Sequence, residues 1–487
     1  MRFIVVLFAL VLTVTIVKCS RILVVFPMSA QSHFILGSSL AKALAEAGHD
    51  VTYVSLFEEK NPPKNGKYTE VVLTGTMGVA GNSKMNFFDF EKMNPFLNIP
   101  VMGMICNTNL LKSGQHFDAV IIEQFNNDAL KALAYHYNAP LILFSTIGAN
   151  PWINNLVGNP SPPSYIPDIF LSYTSNMTFW QRLVNFLYSI LSELYKQFIF
   201  LPEQNRLMKE VFPDVPDLST LYYNVSLILV NSHESTNQPV PHVPNMIDIG
   251  GFHVHPGKEL PKDLKDFMDN ATEGVVYFSM GSNIKPSQMV EEKRNAILRS
   301  FGKLKQKVLW KWDEDNLPGK PNNVIISKWF PQQDILAHRN TKLFVTHGGL
   351  LSTTETVYHG VPILALPIFG DQKMNAARAQ MNGIGISLSY SDLTEENFAE
   401  TLDLLLNDQT YSENAKRRSK LMKDRPVKPK DLAVYWTEYI IRHNGAPHLR
   451  TYHGIMSIST VFVVIIYILI RRTFCNKKTR SHKVKKS

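Results

Sequence analysis

Three short runs, WFPQQD at 329–334, FVTHGGLLS at 344–352 and PIFGDQ at 367–372, gather side chains able to hold several chemical groups at once. Phe344–Thr346 reads as the end of a buried strand, His347-Gly348-Gly349 as a turn, and Leu350 onward as a helix. Such a turn lets the backbone approach a ligand closely, and a helix start offers free N–H groups to an anion. His347 adds a donor there, and Ser352 sits one turn inside the helix. Glu355 can accept hydrogen bonds from vicinal hydroxyls such as those of a ribose. Trp329 offers a flat face to a base. Asp371 and Gln372 follow the next strand, at the carboxyl end where α/β sheets bind ligands. Singly these signals are weak, because a lone tryptophan is usually core and a lone His-Gly-Gly is usually a turn. Together they offer partners to a base, a ribose, a diphosphate and a sugar.

Those residues need elements to hold them. Arg21–Phe26 (RILVVF) is a β-branched apolar run that reads as a buried strand. PMSAQSH follows as a loop, and Leu36–Ala47 as a helix stopped by Gly48. Asp50–Leu56 is a second strand, completing a β-loop-α-β unit, the building block of a parallel sheet. Phe117–Glu123, a helix near Asp128–Tyr137 and Leu141–Ser145 repeat the unit, and Leu227–Asn231 adds a strand. Pro239–Pro261, rich in Pro, Gly and His, reads as a linker. A second set then starts, with strands at Gly274–Ser279, Lys307–Trp312, Val324–Ser327, Lys342–Thr346 and Ile363–Leu366, and a helix at Gln288–Phe301. The expected class is α/β, with two doubly wound Rossmann-like domains facing a cleft. Residues 150–215 break this rhythm with a Pro-rich stretch and then Phe179–Phe200, aromatic-rich at helical spacing. That segment reads either as a core-packing helix or as an apolar pocket wall or membrane-leaning surface.

The 487 residues carry a net charge of +9, from 50 Lys and Arg against 41 Asp and Glu. Such an excess invites a nucleic-acid or membrane partner. Its placement excludes the first. Arg2 and Lys18 lie in the first 19 residues and eight more cations lie in 471–487, with no acid in either end, so residues 20–470 carry 40 cations against 41 acids. Residues 1–19 read as a secretory signal peptide. Residues 451–470, uncharged but for one His, are long enough to span a bilayer, and the basic tail 471–487 places itself in the cytoplasm and the body in a lumen or outside. Lys483 and Lys485 resemble a lysine-based endoplasmic-reticulum retrieval address. Of three cysteines only Cys106 is expected in the lumen, so no intrachain disulfide is expected there. Asn176, Asn224 and Asn270 head glycosylation sequons.

The segment Trp329–Gln372 resembles the donor-binding signature of the UDP-glycosyltransferase family, which has the GT-B fold. The whole chain is similar to membrane-bound animal members, and THGGLLST is most similar to insect ones. The resemblance implies a signal peptide over 1–19, an N-terminal acceptor-binding domain over 20–245, and a C-terminal UDP-sugar-binding domain over 246–445. A transmembrane helix over 451–470 and the cytoplasmic tail complete it. It implies an enzyme of the endoplasmic-reticulum membrane, a single-pass type I protein moving a sugar, glucose ahead of glucuronic acid, from a UDP-sugar to a small lipophilic acceptor. Trp329 would stack on uracil and Gln332 bind the nucleoside. His347, Gly349 and Ser352 would hold the diphosphate, Glu355 the ribose, and Asp371 and Gln372 the sugar hydroxyls. Ser282, in SMGSN at 279–283, would be a second phosphate contact.

The catalytic base implied is His33, in the loop after the first strand. Its orienting acid is Glu123, standing where vertebrate members have Asp, with Asp128 as the alternative, or neither. Leu351 stands where many members carry Asn, which removes one family contact and leaves the donor sugar open. No cofactor is implied beyond the UDP-sugar as co-substrate, and no metal, since no His/Cys cluster has ligand spacing. Asp313 and Asp315 mimic the DxD metal motif of another glycosyltransferase fold, but their flanks read as an exposed turn. A catalytically silent, ligand-sequestering membrane protein of the same fold is the rival reading. Whether the chain forms a homo-oligomer is left open.

Overall fold

The computed structural model describes residues 19–73, Phe88 and 115–451. All of the expected signal peptide but Cys19, all of the span but Thr451, the basic tail, Cys106 and Cys475 lie outside them. Among the described residues no helix is long and apolar enough to cross a membrane.

The first half is a seven-stranded sheet in the order β3-β2-β1-β4-β5-β6-β7, every neighbouring pair parallel. Its strands are β1 (Arg21–Phe26), β2 (Asp50–Ser55), β3 (Lys67–Val72), β4 (Ala119–Glu123), β5 (Leu141–Ser145), β6 (Leu227–Val230) and β7 (Met246–Asp248). β4, β5 and β6 are buried at every position, as expected of parallel strands covered on both faces. β3 escapes the sequence pattern because it is an edge strand, KYTEVV, mixing polar and apolar residues with no buried run. β7 pairs with β6, so the first sheet extends past the expected division at 245/246 and takes in part of the expected linker.

The helix α1 (Gln31–Glu46) starts earlier than expected, so His33 stands in its first turn and not in a loop. The sequence hides this start because the cap, Ala30, has no side chain to bond. The Ala30 carbonyl instead accepts the N–H groups of His33 and Phe34, each at 3.1 Å. A second helix, α2 (Phe179–Tyr195), begins with a capping box from Thr178 and Gln181 and runs into a π-turn at Lys196–Phe200.

The second half is a six-stranded parallel sheet in the order β10-β9-β8-β11-β12-β13. Its strands are β8 (Val275–Ser279), β9 (Lys307–Lys311), β10 (Val324–Ser327), β11 (Thr341–Thr346), β12 (Ile363–Ala365) and β13 (Gly385–Ser387). Helix α3 (Leu350–His359) follows β11, and α4 (Gln372–Met381) follows β12. The two halves are tied by Arg378 of α4, which donates to Asn237 Oδ1 at 2.7 Å, and by Arg425, which donates to the Gly250 carbonyl at 2.8 Å.

The chain then returns to the first half. Helix α5 (Pro429–Arg442) places Ala433 and Ile440 in one apolar cluster with Ile22, Leu40, Ile121 and Phe144. Glu438 on the same helix meets His49 at 3.3 Å. The three sequon asparagines, Asn176, Asn224 and Asn270, are all exposed.

Candidate active site

In each sheet the strand order reverses at one place, between β1 and β4 and between β8 and β11. Connections leave in opposite directions at such a point and open a crevice at the carboxyl ends of the strands. The expected site residues cluster around these two points.

In the first half, His33 follows β1 and Glu123 ends β4. The Nδ1 of His33 is hydrogen-bonded to Glu123 Oε1, and Glu123 is fully buried. The other carboxylate oxygen of Glu123 has no hydrogen-bond partner among the described residues. The Phe125 ring meets the His33 ring edge-on at 4.9 Å. Asp128 is engaged elsewhere. It accepts from Lys131 Nζ at 2.6 Å and from Gln124 Nε2 at 3.0 Å, and Lys131 lies 4.1 Å from the Tyr222 ring centre. Burial pulls the Lys131 ammonium down and the Asp128 charge opposes this, and the two form a buried ion pair three residues apart.

In the second half, the His347 ring is clasped by two turns. A Cβ on Gly281 would stand 2.6 Å from His347 Cε1, and one on Gly349 would stand 2.6 Å from Nε2. Gly281 (φ +78°) and Gly348 (φ +81°) hold left-handed conformations that only glycine adopts cheaply. Burial, aided by the Lys311 charge, pushes His347 down to about 4. It is therefore a neutral donor or acceptor at ordinary pH.

Glu355 is buried on α3 and accepts Gln332 Nε2 at 2.6 Å and Gln333 Nε2 at 3.1 Å. Gln332 also donates to Ser352 Oγ at 3.0 Å. Burial lifts the Glu355 carboxyl to about 7 against those amide donors. Behind it stands His253, fully buried, with Nε2 3.8 Å from Glu355 Oε1; burial presses it down to about 3. Asp371 accepts Asn375 Nδ2 at 2.7 Å, and the same amide donates to the Gly348 carbonyl at 3.0 Å. Burial raises the Asp371 carboxyl, opposed by the Asn375 bond and by His33 across the cleft. Gln372 Oε1 accepts the N–H groups of Ile368 (2.8 Å) and Phe369 (3.1 Å), which leaves its amide nitrogen for a ligand.

His33, Asp128, Ser282, Trp329, Gln332, His347, Gly349, Ser352, Glu355, Asp371 and Gln372 all line one cleft of about 720 Å³ between the halves, while Glu123 stands behind His33. Trp329 is well exposed, and Lys311 Nζ lies 4.5 Å from its ring centre and donates to the Gly281 carbonyl at 2.9 Å. Burial brings the Lys311 ammonium down to about 8. Lys311, Gln333, Asn375 and His253 are participants that sequence reasoning missed, because each is a single polar residue outside any pattern. Asp313 is a structural acceptor, taking the N–H (2.9 Å) and hydroxyl (2.6 Å) of Ser287. Among the described residues no group of three or more His, Cys, Asp and Glu could hold a metal ion.

The profile of the family described as "UDP-glucoronosyl and UDP-glucosyl transferase" matches residues 86–480. The chain belongs to this family. A UDP-glycosyltransferase of Dactylopius coccus is 39% identical over 88% of this chain and 85% of the relative. UDP-glucosyltransferase 2 of the same insect is 36% identical over 94% and 90%. Human UDP-glucuronosyltransferase 1A8 is 35% identical over 72% of this chain and 68% of its own. Among solved structures, a UDP-glucosyltransferase from Polygonum tinctorium capable of glucosylating indoxyl superposes with a TM-score of 0.59. It is 17% identical and covers 88% of this chain and 100% of that one, which establishes the shared GT-B fold. This UDP-glycosyltransferase is thus a hexosyltransferase, taking a UDP-sugar donor and an acceptor.

Proposed function

We propose that this UDP-glycosyltransferase moves glucose to a hydroxyl of a small lipophilic acceptor with inversion at the anomeric carbon. The observation that carries the reading is the His33–Glu123 pair facing Asp371 and Gln372 across one cleft. With Nδ1 held by Glu123, the Nε2 of His33 is left to take the acceptor proton, and the carboxylate stabilises the imidazolium that forms. The acceptor oxygen then bonds the anomeric carbon as its bond to the β-phosphate oxygen breaks, and UDP leaves. N–H groups at the His347–Gly349 turn and the start of α3, with the Lys311 ammonium, face the charge on UDP. This reading needs no metal and no further cofactor.

Ile147, Trp152, Ile169 and Phe170 of the first half line the cleft, which favours a lipophilic acceptor. Among the described residues lining it, Lys311 is the only Lys or Arg, and it lies beside Trp329. Arg378, whose charge acts on Asp371, donates to Asn237 and does not line the cleft, so a glucuronate carboxylate beside Asp371 would meet an acid with no cation on the cleft surface, which favours glucose. Glucuronosyl transfer by the same steps is the second reading, supported by the resemblance to human UDP-glucuronosyltransferases. The enzyme is placed as a single-pass protein of the endoplasmic-reticulum membrane with a lumenal body, on the uncharged run 454–470 and the basic tail. UDP release measured with UDP-glucose and UDP-glucuronic acid against a panel of phenols tests the whole reading. Release is expected with UDP-glucose first; release with no pair would favour the silent, ligand-sequestering alternative.

A further inference from the structure

Helix α2 and its π-turn bury their polar side. Asn185, Tyr188, Ser192 and Lys196 form the buried stripe, while Phe179 and Trp180 are each 71% exposed and Phe198 is 75% exposed, with Phe186, Leu187 and Leu191 exposed between them. Surface helices ordinarily do the reverse. The orientation is fixed, not incidental. Asn185 donates to the carbonyls of Pro163 (2.7 Å) and Ile166 (2.8 Å) and accepts the Asp168 N–H at 2.9 Å, so the helix cannot roll its apolar face inward without breaking the Pro-rich loop. A contiguous apolar patch of this kind marks an interaction surface.

The course of the chain says what covers it. The described body ends at Thr451, whose hydroxyl donates to the Val157 carbonyl, and Arg450 beside it donates to Asn224 Oδ1 (2.6 Å) and Ser226 Oγ (2.9 Å). Val157 closes the short helical stretch opened by Pro151 and Trp152, and the Trp152 ring meets Phe200, the last residue of the π-turn, edge-on at 6.1 Å. The uncharged run 454–470 begins directly beyond Thr451. The end of the apolar helix and the root of that run therefore share one region of the first half. The one acid of the segment, Glu193, is ion-paired with Lys196 at 2.5 Å, and aromatic rings stand at both of its ends, as suits a lipid headgroup boundary.

We propose that the exposed face of 179–199 lies in the interfacial zone of the bilayer leaflet that residues 454–470 enter. The body is then held at the membrane by two contacts, and the apolar cleft wall at Trp152 stands beside the leaflet in which a lipophilic acceptor dissolves. This rests on the single-span reading of 451–470.

The test uses the full chain in phosphatidylcholine nanodiscs carrying a phospholipid with a photoreactive group near the glycerol, followed by peptide mapping. Labelling of both 179–199 and 454–470 is the expected result. In a variant with Phe179→Ser, Phe186→Ser and Phe198→Ser, labelling of 179–199 falls several-fold while that of 454–470 and binding of UDP persist, since all three side chains are exposed. Label on 454–470 with none on 179–199 overturns the proposal and leaves the span intact. Label on neither removes the span and the proposal together.

Discussion

The two halves of the cleft are built by different rules. On the donor side nearly every polar group is braced by another: Gln332 and Gln333 on Glu355, Asn375 on Asp371 and the Gly348 carbonyl, Gln372 on two backbone N–H groups. On the acceptor side the His33–Glu123 pair stands beside a mixed wall, where Ile147, Trp152, Ile169 and Phe170 alternate with polar residues such as Asn126 and Asn150. A sugar nucleotide has fixed hydroxyls and phosphates, and each demands a partner at a fixed place. A lipophilic acceptor demands only volume and one base. On the proposed function, binding precision is concentrated in one half and the proton transfer in the other.

Breaking the acceptor pair should give the largest effect. His33→Ala is expected to lower kcat by roughly 10²–10⁴-fold while leaving UDP affinity unchanged; near-normal turnover would remove His33 as the base. Glu123→Gln should lower kcat by about 10–100-fold, since orientation is lost but the base remains. Asp128→Asn sharpens the contrast. It leaves the Lys131 ammonium buried without its partner, so a loss of about 3–5 kcal/mol of stability is expected in denaturant titrations. If Asp128→Asn abolished turnover at unchanged stability, the assignment of Glu123 as the orienting acid would fail.

The donor half should answer in affinity, not in rate. Glu355 is lifted to about 7, so below that pH one of its oxygens carries a proton and the group accepts more weakly from ribose hydroxyls. Uridine affinity should then fall as pH drops below about 7, by up to about tenfold per unit, and Glu355→Gln should flatten the profile. A flat profile in the unaltered enzyme would separate Glu355 from the ribose. The same shift means that Glu355 costs stability as pH rises from the unfolded carboxyl range toward 7, because the unfolded chain ionises first. The smallest effect is assigned to Lys311. Lys311→Met should weaken UDP on the order of tenfold with little change for uridine, and Lys311→Arg should restore most of it. Equal losses for both ligands would mean that Lys311 supports Trp329 and not the phosphates.

The donor half was the more legible in the sequence for the same reason that it is braced. His347, Gly349, Ser352, Asp371 and Gln372 fall at or within a turn of strand-turn-helix junctions, with Glu355 one turn further along the helix, where residue type and spacing betray the backbone. His33 stands out in the sequence as a histidine just after the first strand, but its helix does not, because Ala30 gives no capping signal. The choice between Glu123 and Asp128 had a readable clue in Lys131, three residues after Asp128, which the structure shows as its buried partner. Lys311 and Asn375 had no such clue, since a lone polar residue at a strand end or in a helix fits a surface equally well. Helix α2 was legible as a helix, but its orientation was not. That depends on Asn185 bonding a loop some twenty residues away, and the structure replaces the core-packing reading with an outward apolar face.

The return of α5 to the first half has a consequence for synthesis. Ala433, Ile440 and Ala446 complete the apolar cluster begun by Ile22 and Leu40. As the chain is made, the amino-terminal half waits with that surface uncovered until residues near 450 have left the ribosome, by which time the second half already has its whole sheet. The half that begins first finishes last, so a stop shortly after residue 428 would leave a donor half with a complete sheet attached to a partner with an open core.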